Sequence, residues 1–197
     1  MQKTTYVDFD TGEGVLTYTK KAKKNIAFFA SLFANVNELP FQKPEGENKR
    51  LIEKICRLTA LSQPEVEMIN YGDELLNAEG RLLENFGCTA IAKNKSVGQT
   101  LDFFTVDLTL VREKDCLYVT MPPYLALLGM NRNLAFCTNY LPGSVAPGVP
   151  ISQLRRNILR YDSIDEVIQY FNSIPRATAA NFLLLDGKNI VDIEVSP

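Results

Sequence analysis

The chain has 197 residues, 46% hydrophobic and 22% charged, with a net charge of -2 and a pI near 5.3, which suits one globular domain with a sizeable core rather than two. The slightly acidic balance argues against a nucleic-acid binder, which needs a basic stripe and its electrostatic surplus to neutralise phosphates. Histidine is absent, so Ser-His-Asp and Cys-His catalysis and His-containing zinc sites are excluded, and an enzyme built from this chain finds its base elsewhere.

Residues 3–19 alternate polar and apolar around a Thr11-Gly12 break and predict a short hairpin. Lys20, Lys21, Lys23 and Lys24 then precede an apolar run from Ile26 to Val36, the charge order of a signal peptide. The leader would be unusually long and the run is too short to span a bilayer. A helix packing Ile26, Phe29 and Phe33 on one face is preferred, with a secreted or membrane-surface protein as the minority alternative to a cytoplasmic one. Residues 38–48 hold two prolines and a glycine among charges and predict a linker. Leu51, Ile55 and Leu58 have helical spacing over 48–61, and Ser62 with Glu65 forms a capping box, Pro64 in the first turn, for a helical region running to about Phe86.

From Cys88 the period becomes strand-like through CTAIAK, GQTLDFF, the alternating Val106, Leu108 and Leu110, and CLYVTM, predicting an antiparallel meander. A further strand is expected over 134–141. Pro150 opens a helix with Ile151, Leu154, Ile158 and Leu159 on one face, and Ser163 with Glu166 starts another, whose stripe is Ile164, Val167, Ile168 and Phe171. NFLLL, an Asp186-Gly187 turn and NIVDIEV return to strands. This order predicts an α+β fold in which helices cover one sheet and a second sheet begins on the other side.

Four cysteines (Cys56, Cys88, Cys116, Cys137) lie at wide spacings with no C-x-x-C pair, as expected of free thiols in a reducing compartment. Cys56, Cys116 and Cys137 read as structural. Gly87-Cys88-Thr89 stands where the period changes, with an unhindered Gly87 carbonyl before the thiol. Attack of Cys88 on that carbonyl, followed by hydrolysis, would leave Cys88 as a new N-terminus. Its α-amine, of reference pKa about 7.7 to 8, is matched to a thiol of about 8.5 and replaces the missing histidine as base. The plain alternative is a buried cysteine at a strand start. Asp102 alone would pass for a solvent-facing strand residue, and Asn139 for a turn former before Leu141-Pro142-Gly143. Arg155 and Arg156 either steer a carboxylate-bearing substrate or belong to a solvated helix face.

The ordered set LTALSQPEVEMINY, GCTAIA, GQTLDFF, GMNRNLAFCTNYL, GVPISQLRRNIL, SIDEVIQYF and NFLLLDGKNIVDIEVSP resembles the N-terminal nucleophile (Ntn) cysteine amidases and acyltransferases related to isopenicillin N acyltransferase, a class akin to bile salt hydrolases and acid ceramidase. The resemblance covers roughly residues 48–197. It implies an Ntn-hydrolase-like αββα sandwich of antiparallel sheets and helices whose second sheet is incomplete. Residues 1–87 would be a prosegment, retained after cutting as a separate chain, and 88–197 the N-terminal part of the catalytic domain. Autocleavage between Gly87 and Cys88 is implied, with Cys88 as nucleophile, Asp102 orienting the freed amine and Asn139 donating to the oxyanion. Tyr140 would line the substrate pocket. Gln99, where the bile-salt-hydrolase branch usually has arginine, would contact substrate and points to the acyltransferase-like branch. Thr100 replaces the usual asparagine of GQNxD, and a second active-site asparagine has no counterpart before Pro197. The partner expected is a small-molecule amide or acyl substrate, with no metal, no cofactor, no nucleic acid and no membrane span. The rival expectation is a truncated, non-catalytic Ntn-like paralogue or fragment serving as a binding module.

Overall fold

A computed structural model describes residues 4–32, 41–78, 88–101 and 108–197. Among them run β1 (Thr5–Asp8), α1 (Gly12–Leu32), α2 (Gly46–Thr59), α3 (Gln63–Asn70) and α4 (Gly72–Ala78). Then come β2 (Ala90–Lys93), β3 (Ser96–Gln99), β4 (Thr109–Glu113), β5 (Cys116–Thr120), β6 (Leu128–Met130) and β7 (Ala135–Tyr140). The remainder is α5 (Ile151–Ile158), α6 (Ile164–Ser173), β8 (Ala180–Leu185) and β9 (Ile190–Val195). The fold is α+β. A seven-stranded mixed sheet runs β1-β4-β5-β6-β7-β8-β9, and β2 and β3 form a separate two-stranded hairpin. The β1–β4 pair is parallel and the other six are antiparallel.

Two expectations are corrected. Residues 3–19 do not form a hairpin, because Thr11-Gly12 starts a helix rather than a turn. The Thr11 hydroxyl accepts from the Gly14 N–H at 3.1 Å and its carbonyl from the Val15 N–H at 3.0 Å, satisfying donors that a helix start leaves open. The apolar residues that appeared to alternate also fit a helical stripe, and Tyr18 and Ala22 are buried on it. Gly14 is required there, since a Cβ would stand 1.8 Å from the Asp8 carbonyl oxygen. Secondly, β8 and β9 do not begin another sheet. They extend the first one past β7 in continuous antiparallel register.

Strand alternation gives this sheet two chemically distinct faces. Val7, Val111, Tyr118, Gly129, Phe136, Leu184 and Val191 form one row across it. The flanking helices pack on this row in one hydrophobic core. Gly129 occupies the row because a Cβ would meet the Tyr118 Cβ at 2.7 Å and the Leu117 carbonyl oxygen at 2.9 Å. From α5, Ile151, Leu154 and Ile158 are fully buried, each contributing about 1.5–3 kcal/mol of apolar transfer. The Ser62–Glu65 capping box forms as expected, the Ser62 N–H donating to Glu65 Oε2 at 2.8 Å and the Glu65 N–H to Ser62 Oγ at 3.4 Å. The second face carries Leu110, Leu117, Val119, Leu128 and Met130, and the β2–β3 hairpin lies over it. No described helix is long and apolar enough to cross a membrane.

Candidate functional site

Cys88 is half-buried at the entrance to the β2–β3 hairpin, two residues before β2 begins. Thr89 and Thr100 close the hairpin's open end. The Thr89 N–H donates to Thr100 Oγ1 at 3.0 Å, and the Thr100 N–H to the Thr89 carbonyl at 2.9 Å. Thr100 is thus a latch beside Cys88.

The Gln99 side chain fixes the hairpin to the sheet. Gln99 Nε2 donates to the Thr138 carbonyl at 2.5 Å, and Gln99 Oε1 accepts from the Thr138 N–H at 2.9 Å. In β7, Phe136 is the last residue before Thr138 with a partner in β6, so the outward peptide groups of Thr138 have no strand to pair with. A primary amide has the donor and acceptor of a peptide unit and substitutes for the missing strand. Gln99 is therefore committed to the backbone of β7. Between hairpin and sheet lies a cavity of about 190 Å³. Its walls are mostly apolar, Val97 facing Leu117, Val119, Leu128 and Cys137. Burial pushes the Cys137 thiol up to about 11, so it stays protonated at neutral pH.

Asn139 follows Thr138 directly, so the Gln99 clamp brings the hairpin of Cys88 to the strand of Asn139. The Asn139 Oδ1 is buried with no hydrogen-bond partner among the described residues, which is costly unless the amide serves another purpose. Tyr140 is the next strand residue and leaves the opposite face of the sheet. Its hydroxyl donates to the Asp73 carbonyl, which directs it at α4. Gly87 and Asp102 lie outside the described residues. No group of three or more potential metal-ligating carboxylates and thiols occurs among the described residues.

A buried polar cluster stands beneath Tyr140. Arg155 Nη1 lies 2.7 Å from Asp73 Oδ2 and 2.8 Å from the Tyr124 hydroxyl, which itself donates to Asp73 Oδ2. Arg155 is only 3% exposed, so it lies on no solvated helix face and is too deep to steer a substrate. Its place on the stripe of Ile151, Leu154 and Ile158 was the available signal. Glu74 is fully buried next to Asp73, with Oε1 accepting from the Ile151 N–H at 2.6 Å and Oε2 unpartnered. Burial first, then the charge of Asp73, push its carboxyl up to about 8. The protonated form of Glu74 is accordingly favoured, while Asp73 Oδ2 pairs with Arg155. Through these contacts α4 anchors to α5 and β7 by hydrogen bonds that do not depend on the peptide bond before Cys88.

Two further residues of the sequence landmarks serve the backbone. The Asn131 side chain donates to the Leu159 and Tyr161 carbonyls at 3.1 and 2.7 Å and accepts from the Asn133 and Leu134 N–H groups at 2.8 and 2.7 Å, tying the β6–β7 turn to the end of α5. Asn70 Oδ1 accepts from the Leu125 N–H at 2.8 Å, and the Ser152 hydroxyl donates to the Asn70 carbonyl at 2.7 Å. Compared with known proteins, the chain matches no family model and no curated sequence.

Proposed function

We propose that the chain is an autoprocessing cysteine amidase or acyltransferase of the Ntn type, acting on a non-peptide amide through a Cys88 thioester. The observation that carries this reading is the Gln99 clamp, which seats the hairpin opened by Cys88 against the residue preceding Asn139. In processing, Cys88 Sγ bonds to the Gly87 carbonyl carbon as the Gly87–Cys88 C–N bond breaks. The nitrogen takes a proton and becomes the Cys88 α-amine. Water then hydrolyses the thioester, leaving a Gly87 carboxylate and a free thiol. In turnover the amine accepts the thiol proton and passes it to the leaving amine, while water or an acceptor amine resolves the acyl-enzyme. Asp102 would orient the amine. An Asn139 side-chain N–H would stabilise the oxyanion, a contribution of about 2.7–4 kcal/mol where such donors have been removed. The apolar cavity beneath the hairpin suits an apolar acyl group.

In this reading 1–87 is the prosegment and 88–197 the catalytic part. Val7, Phe9, Tyr18, Ile52 and Ile55 sit in the same core as Phe136 and Leu154, so the cut chains remain associated. Intact mass measured under denaturing conditions tests the proposal. Cleavage at 87/88 gives pieces of 87 and 110 residues, and Cys88→Ser abolishes it. A single 22.1 kDa species that persists for days, with Cys88 unreactive to iodoacetamide, would return the chain to a non-catalytic binding module.

A further inference from the structure

On the helix-covered side of the sheet, away from the Cys88 hairpin, a cavity of about 330 Å³ opens between α2, the end of α5 and the β4–β5 turn. Arg50 and Lys54 of α2, Lys114 of the turn, and Arg156 and Arg160 line it. Glu47 and Glu113 are its carboxylates, so the cavity carries a net charge of +3 in a chain of net charge -2. The carboxylates are already engaged. Glu113 Oε2 is 2.7 Å from Arg156 Nη2 and its Oε1 3.7 Å from Lys54 Nζ, while Glu47 Oε2 is 3.0 Å from Arg160 Nε. Arg156 stacks on Tyr118 with its guanidinium carbon 4.7 Å from the ring centre, and its Nη1 is buried without an acceptor among the described residues. The Lys114 backbone N–H donates to Asp10 Oδ2 at 2.9 Å, but the Arg50 guanidinium and the Lys114 ammonium have no carboxylate partner among the described residues. Arg160 is held below its ordinary pKa by burial and, further, by the nearby Arg156 charge, as expected where like charges are gathered. Basic residues at the end of α5 complement the helix dipole, but Arg50, Lys54 and Lys114 come from other elements and are not explained that way.

We propose that this cavity binds the phosphate group of a small soluble molecule. A volume near 330 Å³ is at the low end of metabolite pockets and too small for a polymer. Cations arriving from three separate elements match a tetrahedral dianion, whereas a planar carboxylate is satisfied by one arginine fork. The site is independent of the Cys88 chemistry.

Isothermal titration calorimetry on the full chain at constant ionic strength tests it with inorganic phosphate, with acetate as control. Saturable phosphate binding in the millimolar range or tighter is expected, with acetate giving none. Arg50→Gln with Lys114→Gln removes two rim charges and leaves both pairs of Glu113 intact. That double variant should fold normally, checked by thermal unfolding, and bind phosphate at least about tenfold more weakly, the scale of one charge-assisted contact. Cys88→Ser should bind as the parent does. Absence of saturation, equal binding of acetate, or undiminished binding by the folded double variant would overturn the proposal. So would sedimentation with phosphatidic-acid vesicles in the absence of free-phosphate binding, which would assign the charge to a membrane surface.

Discussion

Replacing Glu74 with glutamine should remove a loss of stability that the parent protein suffers as pH rises. The carboxyl is fully buried beside Asp73, Arg155, Tyr124 and Tyr71, and its folded-state pKa is pushed up to about 8 from an ordinary 4.5, by burial first and then by the Asp73 charge. Because the folded value is the higher one, the native state binds the extra proton between these two limits. Stability is therefore fully present below the unfolded pKa and is lost as pH climbs through the folded pKa. One proton corresponds to a slope of about -1.4 kcal/mol per pH unit, or roughly 2–3 kcal/mol between about pH 5.5 and 7.5. Glutamine is neutral throughout and its Oε1 still accepts from the Ile151 N–H. Urea unfolding of both proteins across that window, in a Cys88→Ser background so that one covalent species unfolds, isolates the contribution, since all other titrations cancel in the difference. The variant should gain on the parent steadily with pH. Parallel profiles, with a difference constant to about 0.5 kcal/mol, would refute the assignment of a neutral buried Glu74.

Gln99→Ala should cost about 1–3 kcal/mol by leaving both outward Thr138 peptide groups unpaired, readable in urea midpoints. It should also speed iodoacetamide labelling of Cys88 as the hairpin loosens, and slow cleavage at 87/88; an unchanged labelling rate would argue against the clamp. Gly129→Ala forces a Cβ to within 2.7 Å of the Tyr118 Cβ and should destabilise by about 1–3 kcal/mol. A neutral result would show that β6 can move away from β5.

Much of the fold was legible where one signal acted alone. The Ser62–Glu65 box, the Ile151-Leu154-Ile158 stripe and the hairpin of β8 and β9 each follow from local capping, spacing or turn chemistry, and all three form. At the β1–α1 junction two patterns compete in a short window, Leu16 and Tyr18 fitting a strand's period of two and Val15, Tyr18 and Ala22 fitting a helix stripe. Burial of Tyr18 and Ala22 against the core decides between them. Arg155 was treated as a surface cation because charge usually overrides stripe position in such readings. Only the distant Asp73 and Tyr124, 82 and 31 residues away in sequence, reveal it as a core residue.

Of the candidate site, Cys88 stands out as a thiol after glycine at a change of period, in a chain with no histidine, and the resemblance of the surrounding landmarks is what favours it over a buried strand-start cysteine. What composition and spacing determined was thus the α+β class and a candidate thiol, because these depend on local periodicity and on which side chains exist. The tertiary structure decided that β8 and β9 complete one sheet instead of founding another, that Gln99 stands in for a strand, and that Asn139 and Tyr140 part to opposite faces. It also gathered five cations from separate segments into one cavity. The Asn139–Tyr140 split follows from strand alternation in β7. The extended sheet, the Gln99 clamp and the cation cluster are long-range pairings, set by register and by which buried polar groups must find partners, and none is written in any single stretch of chain.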